Sequence, residues 1–243
     1  MMLPNVFVMA AAVLAGAASS AYVVTVVERP KPVVVSQVVR VVDAETVEVR
    51  EGGRVGLIKL VNVAAPAAGE CLHEESTKRL RELLPEGTAV TVVKEGQLAA
   101  LSTQDGKLVN AELIAAGLAV PTVNGTRFLS QAKTANAEAA QQLKGLHSPE
   151  VPCTLPGQVK VITEAAAVVE AQPLKASKTE LTVAADTAKT AIGLVDQLAK
   201  PGGLTWDAVA PVDQTVLLAK VTKAVPTLYR KEAELRNVVN GLK

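Results

Sequence analysis

The fold is decided by one stretch of the chain, residues 40–66, which reads RVVDAETVEVREGGRVGLIKLVNVAAP. Val47 and Val49 alternate with charged side chains, which is the period-two pattern of a half-buried strand. Residues 52–53 are both glycine, the residue that most readily adopts the positive φ angles of a tight turn. The part that follows is mostly apolar up to Pro66, which has no N–H to give to a strand pair. The stretch predicts two strands joined by a tight turn.

The rest of the chain is assigned from the same kinds of pattern. Further strands are predicted at residues 33–42, 88–94 and 98–103, and helices at residues 71–84 and 128–146. After Pro156 and Gly157 the apolar residues recur at helical spacing. This predicts an antiparallel pair of long helices separated by residues 201–203, and leaves open a shorter helix at residues 159–169. Pro226 is expected to kink or interrupt the last helix.

The N-terminal segment has the properties of a membrane span. Residues 3–27 contain no charged side chain, and a bilayer core needs about 20 apolar residues in a helix. The small residues at 18–21 are compatible with a cleaved signal peptide, but the length of the run and the lack of an early Lys or Arg favour a retained anchor. Arg29 and Lys31 lie in a proline-rich linker at residues 29–32, and by the positive-inside rule they would put the following domain on the cytoplasmic or matrix side. Two charges make only a small difference, so the sequence leaves the side of the membrane undetermined. A mitochondrial inner membrane and a bacterial cell envelope both fit.

Composition argues against charge-driven binding of nucleic acid. The 243 residues carry a formal net charge of +1, and only 2% of them are aromatic. A nucleic-acid groove needs a positive field, and a single-strand groove also needs aromatic rings for base stacking. Nucleic acid is therefore not an expected partner.

Several motifs resemble those of the staphylococcal-nuclease-like (thermonuclease) family. Residues 43–46 read D-A-E-T where the family has D-G-D-T, and residues 64–67 read A-A-P-A where it has D-T-P-E. Residues 105–110 read D-G-K-L-V-N, and L-I-A-A-G-L-A follows at residues 113–119, in agreement with the family's D-G-x-x-V-N and L-x-x-x-G-L-A. Residues 145–147 read G-L-H in place of G-L-W.

The resemblance implies an α+β fold with a five-stranded OB-type β-barrel and helices. It covers roughly residues 33–153 and divides the chain into parts. These are a transmembrane anchor or signal segment at 1–28, the linker at 29–32, a nuclease-like barrel domain at 33–153 and a helical extension at 154–243.

The resemblance also implies that the catalytic residues of the family are mostly missing. In the family, two aspartates hold calcium, a glutamate orients or activates the attacking water, and two arginines grip the phosphate. The matching positions here are Glu45, Ala64, Ala67, Lys59 and Gln97. Removing one such group commonly costs a factor of about 10² to 10⁴ in rate, and three of these five positions are uncharged. We therefore expect no catalytic residue, no metal and no cofactor at this site.

Two alternatives stay open for individual residues. Asp43, Glu45 and Glu70 form a shifted acidic set that would hold calcium, unless Asp43 caps a turn and Glu70 is a solvated loop residue. Cys71 and Cys153 are a disulfide if the domain lies in an oxidising compartment, and two free thiols otherwise.

His73 and His147 lack metal-binding partners at suitable spacing, so both are expected at the surface.

The sequence therefore favours a non-catalytic, membrane-anchored protein. We expect a nuclease-like scaffold or accessory subunit of a larger complex. The chain would bind other subunits through its C-terminal helices and the membrane through residues 3–27. An enzyme hypothesis, a calcium-dependent nuclease or phosphodiesterase with a displaced metal site, stands beside it. A third hypothesis is a module that binds nucleic acid or a lipid headgroup through Arg54 and Lys59.

Overall fold

The computed structural model describes residues 35–123 and 125–242, and these residues belong to one compact unit. The strands are β1 (Val35–Val41), β2 (Thr46–Glu51), β3 (Arg54–Leu60), β4 (Ala89–Glu95) and β5 (Leu98–Thr103). The helices are α1 (His73–Leu83), α2 (Val109–Ala115), α3 (Leu129–Gln141), α4 (Leu155–Ala171), α5 (Lys178–Leu198), α6 (Leu204–Asp207) and α7 (Pro211–Gly241). The predicted α+β class is therefore confirmed.

The five strands close into a barrel in the order β1-β2-β3-β5-β4. The pairs β1–β2, β1–β4, β2–β3 and β4–β5 are antiparallel, and a short parallel pairing of β3 with β5 completes the barrel. The prediction of a five-stranded barrel is confirmed by this topology.

The hairpin of β2 and β3 has the two-residue turn that the sequence predicts. Glu51 pairs with Arg54, which leaves Gly52 and Gly53 as the turn, with φ angles of 56° and 83°. Positive φ at both positions is the type I′ geometry, whose twist matches that of the flanking strands. The two glycines are thus what allows β2 to return directly as β3.

Alternation along the hairpin separates the barrel core from its outer surface. Val47 and Val49 of β2 are buried, and so are Ile58 and Leu60 of β3. Leu57, which directly precedes Ile58 on β3, is 65% exposed. Within β3, only alternate residues of the apolar run that begins at residue 57 therefore face the core, as the two-residue period of a strand requires.

The helix predicted at residues 128–146 ends earlier, at Gln141. Leu143 adopts a left-handed conformation with φ of 51°, and Gly145 has the same φ as it enters a short 3-10 turn, Gly145–His147. This change of direction lets the N–H of Leu146 donate to the carbonyl of Gly117 over 2.8 Å. The helix stops because the chain turns back to pack on the end of α2.

The helical extension is a bundle of three long helices: the expected antiparallel pair, α5 and α7, together with α4, which is longer than the helix left open at residues 159–169. α4 is a 17-residue helix, and it buries residues at helical spacing: Val159, Ile162, Ala166 and Val169. Lys178 of α5 donates to the carbonyl of Leu242 at 2.6 Å, so α5 and α7 run antiparallel. With three helices, each apolar face is covered by two neighbours, whereas a pair would leave much of it in water.

α7 continues through Pro226 without interruption. Pro226 is exposed on this helix. The carbonyl that loses its N–H partner to the proline therefore lies on the water side, where solvent can satisfy it. An interruption at this position is ruled out by the uninterrupted helix.

Two features join the barrel to the bundle. A disulfide links Cys71, just before α1, to Cys153, just before α4, with Cα atoms 5.7 Å apart. A small apolar cluster of Val120, Leu146 and Ala208 lies between the barrel segment and the start of α7. The bundle is therefore held to the barrel both covalently and by burial of apolar side chains.

The predicted membrane span at residues 3–27 and the linker at 29–32 lie outside the described residues. Within residues 35–123 and 125–242, no helix is both long and apolar enough to cross a bilayer. The anchor stays a prediction from the amino-acid sequence.

Candidate functional site

The turn between β1 and β2 carries the first motif of the resemblance. The Oδ1 atom of Asp43 accepts the backbone N–H of Glu45 at 2.9 Å, which closes the turn before Thr46 begins β2. An aspartate that bonds the backbone two residues further on is a common turn-forming device. Asp43 therefore has a structural partner within its own turn.

Glu45 and Lys59 form an ion pair across the hairpin. Lys59 stands opposite Thr46 in the β2–β3 register, which brings its Nζ atom to 2.7 Å from Oε1 of Glu45. The hydrogen bond to Glu45, together with its charge, raises the pKa of Lys59 above the usual 10.5. The position matched to a calcium ligand and the position matched to a phosphate-binding arginine are thus bonded to each other.

The third motif, residues 64–67, offers no charged side chain. Ala64 and Val120 exchange two backbone hydrogen bonds, each 2.9 Å long. The N–H of Ala67 donates to Oε2 of Glu70 at 2.8 Å, so the Glu70 carboxylate closes a tight turn. Neither alanine offers an oxygen from its side chain, and Glu70 already has a partner.

Gln97 lies in the turn between β4 and β5, next to the ion pair. Leu98 pairs with Lys59 in the parallel register of β3 and β5, so the residue before it is close to the end of β3. Gln97 is exposed. Its amide carries no charge, so it adds no cation where the family has its second phosphate-binding arginine.

These residues do not fit a calcium ion. Calcium takes six to eight oxygen ligands, several of them carboxylates. Of the five positions matched to the family's catalytic residues, only Glu45 offers a carboxylate, and the Lys59 ammonium group lies 2.7 Å from it. In the part of the chain that the structure describes, no group of three His, Cys, Asp or Glu residues could hold a metal.

Arg54 and Lys59 do not form a joint phosphate grip. They lie at opposite ends of β3, and strand alternation sends residues an odd number apart to opposite faces. Five residues of a strand span about 16 Å, far more than one phosphate group. Arg54 and Lys59 therefore lie too far apart to bind the same phosphate group.

The two histidines lie in different surroundings. His73 is partly buried, with Nδ1 at 2.7 Å from the carbonyl of Pro66. His147 is only 5% exposed, so the expectation that it lies at the surface is wrong. Its Nε2 lies 3.3 Å from Oδ1 of Asn136, and burial lowers its pKa below the usual 6.5. The ring is therefore neutral at pH 7.

His147 forms part of the floor of a cleft that sequence reasoning missed. The cleft has a volume of about 770 Å³ and lies between α3 on the barrel side and, on the bundle side, α4, α7 and the segment that joins α6 to α7. Of the motif residues, His147 alone lines it among the described parts of the chain. Its walls come from segments up to 87 residues apart, from Lys133 to Lys220, so no local pattern could have revealed it.

No family model matches the chain, and no curated protein sequence matches it either. The resemblance to the nuclease family therefore stays an expectation from the sequence motifs.

Proposed function

We propose that the chain is a nuclease-like protein without nuclease activity that acts as a membrane-anchored scaffold or accessory subunit of a larger assembly. The observation that carries the proposal is the Glu45–Lys59 ion pair, with 2.7 Å between Nζ and Oε1. It joins the two charged side chains that stand at the family's calcium-binding and phosphate-binding positions. The Lys59 ammonium repels a metal ion that approaches the Glu45 carboxylate, and the Glu45 carboxylate repels a phosphate that approaches the Lys59 ammonium.

The uncharged positions matched to the family's other catalytic residues also support a protein without nuclease activity. Ala64, Ala67 and Gln97 supply neither a second carboxylate, nor a general base, nor a second cation. Asp43 and Glu70, which the displaced-site hypothesis needs, both accept backbone N–H groups in their own turns. The enzyme hypothesis would require these turns to open and three side chains to converge on one ion.

The scaffold role is supported by what the bundle leaves exposed. Most apolar side chains of α4, α5 and α7 pack against one another. Several large apolar side chains on these helices nevertheless remain in water: Val168, Val183, Val212, Val216 and Tyr229. Protein partners bind preferentially to exposed apolar and aromatic side chains. We therefore assign partner binding to the outer surface of the bundle.

The disulfide favours one side of the membrane. Disulfides persist in oxidising compartments and are rare in the cytosol. The Cys71–Cys153 bridge thus argues for the periplasmic face of a bacterial envelope or the intermembrane face of a mitochondrial inner membrane. Arg29 and Lys31 argue for the opposite face, but only two charges contribute.

The catalytic part of the proposal is tested on the full-length protein in mild detergent. DNA and RNA are incubated with it in calcium and in chelator, and we expect no hydrolysis above that of Glu45→Ala. Glu48→Ala is the matched control, because Glu48 pairs with Arg40 on the same hairpin and has no counterpart in the family site. Hydrolysis that needs calcium and disappears only in Glu45→Ala would overturn the proposal.

The scaffold part is tested separately by native electrophoresis of membranes. We expect the protein to migrate in a complex several times its own mass of 25.2 kDa. Val183→Glu places a charge on the exposed surface of α5 and should release the protein from that complex. Migration as a single chain before and after this change would refute the scaffold role.

A further inference from the structure

The cleft between α3 and the bundle has the size of a ligand site. Its volume of about 770 Å³ lies within the range of roughly 300 to 1,000 Å³ that small-molecule pockets occupy. Its floor includes Val159 and Val209, which are buried, and the ring of His147. The wall contributed by α3 includes two small side chains, Ala137 and Ala140, beside the polar Asn136 and Gln141.

The rim of the cleft is positively charged. Lysines from three different helices line it: Lys133 of α3, Lys160 of α4 and Lys220 of α7. Lys160 is paired with Glu150 at 2.6 Å, whereas Lys133 and Lys220 make no ion pair within residues 35–123 and 125–242. One carboxylate, Asp213, also lines the cleft. The lining thus has an apolar interior and an excess of ammonium groups at its edge.

We propose that this cleft binds a single-chain anionic amphiphile, a long-chain carboxylate, with its hydrocarbon chain inside and its carboxylate at the lysine rim. Burial of the hydrocarbon chain supplies the affinity. The ammonium groups of Lys133 and Lys220 select a negative headgroup over a neutral one. The positions matched to the family's catalytic residues, Glu45, Lys59, Ala64, Ala67 and Gln97, do not line the site, so the proposal stands whether or not the barrel has nuclease activity.

Leu143 is a second observation that points to this cleft. It lines the cleft, its side chain is 56% exposed, and its backbone has φ of 51°. An exposed leucine held in this conformation adds apolar surface at the edge, where the chain of an amphiphile would enter.

The test is photo-crosslinking of the full-length protein in neutral dodecyl maltoside micelles. The probes are hexadecanoic acid with a diazirine on its chain and hexadecanol with the same diazirine, and the labelled peptides are mapped by mass spectrometry. We expect both probes to label peptides of α3 and α7, with the acid labelling them about two- to fivefold more strongly. That factor corresponds to the contribution of an exposed ion pair.

Two variants separate the apolar part of the site from its charged part. Ala137→Phe fills the cleft from an exposed position on α3 and should abolish labelling by both probes. Thr134→Phe, also exposed on α3 but outside the cleft, should not. Lys133→Glu with Lys220→Glu should remove only the excess labelling by the acid, and Lys189→Glu on α5 should leave it unchanged.

Four outcomes would overturn the proposal. Equal labelling by acid and alcohol, or an acid preference that survives both charge reversals, would reject an anionic ligand. Labelling confined to residues 3–27, or no labelling of α3 and α7 by either probe, would reject the cleft as the site.

Discussion

Gly117 and Gly145 lie so close together that neither has room for a side chain. A Cβ atom on Gly117 would stand 2.2 Å from the carbonyl oxygen of Lys144, and one on Gly145 would stand 2.2 Å from the carbonyl oxygen of Gly117. Both glycines also have positive φ, 70° and 51°. The contact fixes where the chain leaves α2 and where it turns after α3, and so it sets the direction in which the bundle is attached.

Gly145→Ala should destabilise the protein by about 3 kcal/mol or more, because the new Cβ meets backbone that cannot move aside and the positive φ is strained for alanine. Gly193→Ala is the control, since Gly193 lies inside α5 with no atom within 4 Å of a new Cβ. It should stabilise by about 0.5 to 1 kcal/mol through helix propensity. Urea unfolding of the full-length protein in detergent measures both, and equal midpoints would contradict the role of the contact.

Asn110, the last residue of the D-G-K-L-V-N motif, is 1% exposed and holds three segments together. Its Nδ2 donates to the carbonyls of Val61 and Ala99 at 2.8 and 3.3 Å, and its Oδ1 accepts the N–H of Leu101 at 3.0 Å. Asn110→Ala would leave these backbone groups buried without partners, so we expect a loss of about 2 to 4 kcal/mol. Asn237→Ala, on the exposed surface of α7, should change the unfolding free energy by less than about 0.5 kcal/mol.

The barrel could be predicted because its signals are local. The alternation at Val47 and Val49 and the two glycines after Glu51 each act over a few residues, and the structure has the hairpin where they place it. Gly117 and Asn110 were visible as motif residues, but their roles were not. A close backbone approach and a buried amide that bonds three carbonyl or N–H groups depend on chain segments far apart in sequence.

α4 was underestimated because Pro156 and Gly157 read as a break. In the structure they form the first turn of α4, where proline is tolerated and Thr154 caps the helix by accepting the N–H of Gly157 at 3.0 Å. Gly157 is required there, since a Cβ would stand 1.9 Å from the carbonyl oxygen of Val151. A sequence pattern cannot distinguish a glycine that ends an element from one that allows close packing at its start.

The cleft and the burial of His147 were missed for a related reason. Lys133, Lys160 and Lys220 each look like a solvated residue on its own helix. Only the packing of the bundle on the barrel brings them to one rim, and the same packing covers His147. A cleft that forms where the barrel and the bundle pack together leaves no periodic signal in the sequence of either part.

The disulfide between Cys71 and Cys153 should contribute about 4 kcal/mol to the free energy of unfolding. The two residues are 82 positions apart, and closing so long a loop removes much entropy from the unfolded chain in the chain-entropy description. Cys71→Ser with Cys153→Ser should therefore lower the urea midpoint, and reductant should lower the parent protein's midpoint but leave the variant unchanged. Alkylation without reductant provides the check, because a mass increase for two modified thiols would mean that the native protein has no bridge.

Acid stability should respond to Asp105, in the turn after β5. The hydroxyl of Thr103 donates to Oδ1 of Asp105, and Nζ of Lys107 lies 2.9 Å from Oδ2. These bonds lower the pKa of Asp105 from 3.8 to about 2. The pKa of Asp105 is lower in the folded than in the unfolded protein. The ionised Asp105 therefore adds to the free energy of unfolding above pH 3.8, and this contribution is lost as the pH falls towards about 2. Unfolding midpoints of the parent and Asp105→Asn should therefore converge across this window, and carboxyl carbon NMR shifts should give the pKa directly. A titration midpoint at the usual value would contradict the turn geometry.

The Glu45–Lys59 pair should matter little for stability, since the Lys59 side chain is 54% exposed. A double-mutant cycle with Glu45→Gln and Lys59→Met should give a coupling of about 0.2 to 1 kcal/mol, as for other solvent-exposed pairs. The raised pKa of Lys59 sets the pH dependence: the coupling should be present at pH 7 to 9 and should decline as the pH rises above 10.5.

Lys59→Met also removes the ammonium that opposes a metal, yet it should not create calcium binding, because Ala64 and Ala67 still provide no carboxylate. Calorimetric titration with calcium tests this directly. Saturable binding by Lys59→Met that Glu45→Gln abolishes would mean that the ion pair alone blocks a metal site, and that the neutral positions matter less than their chemistry suggests.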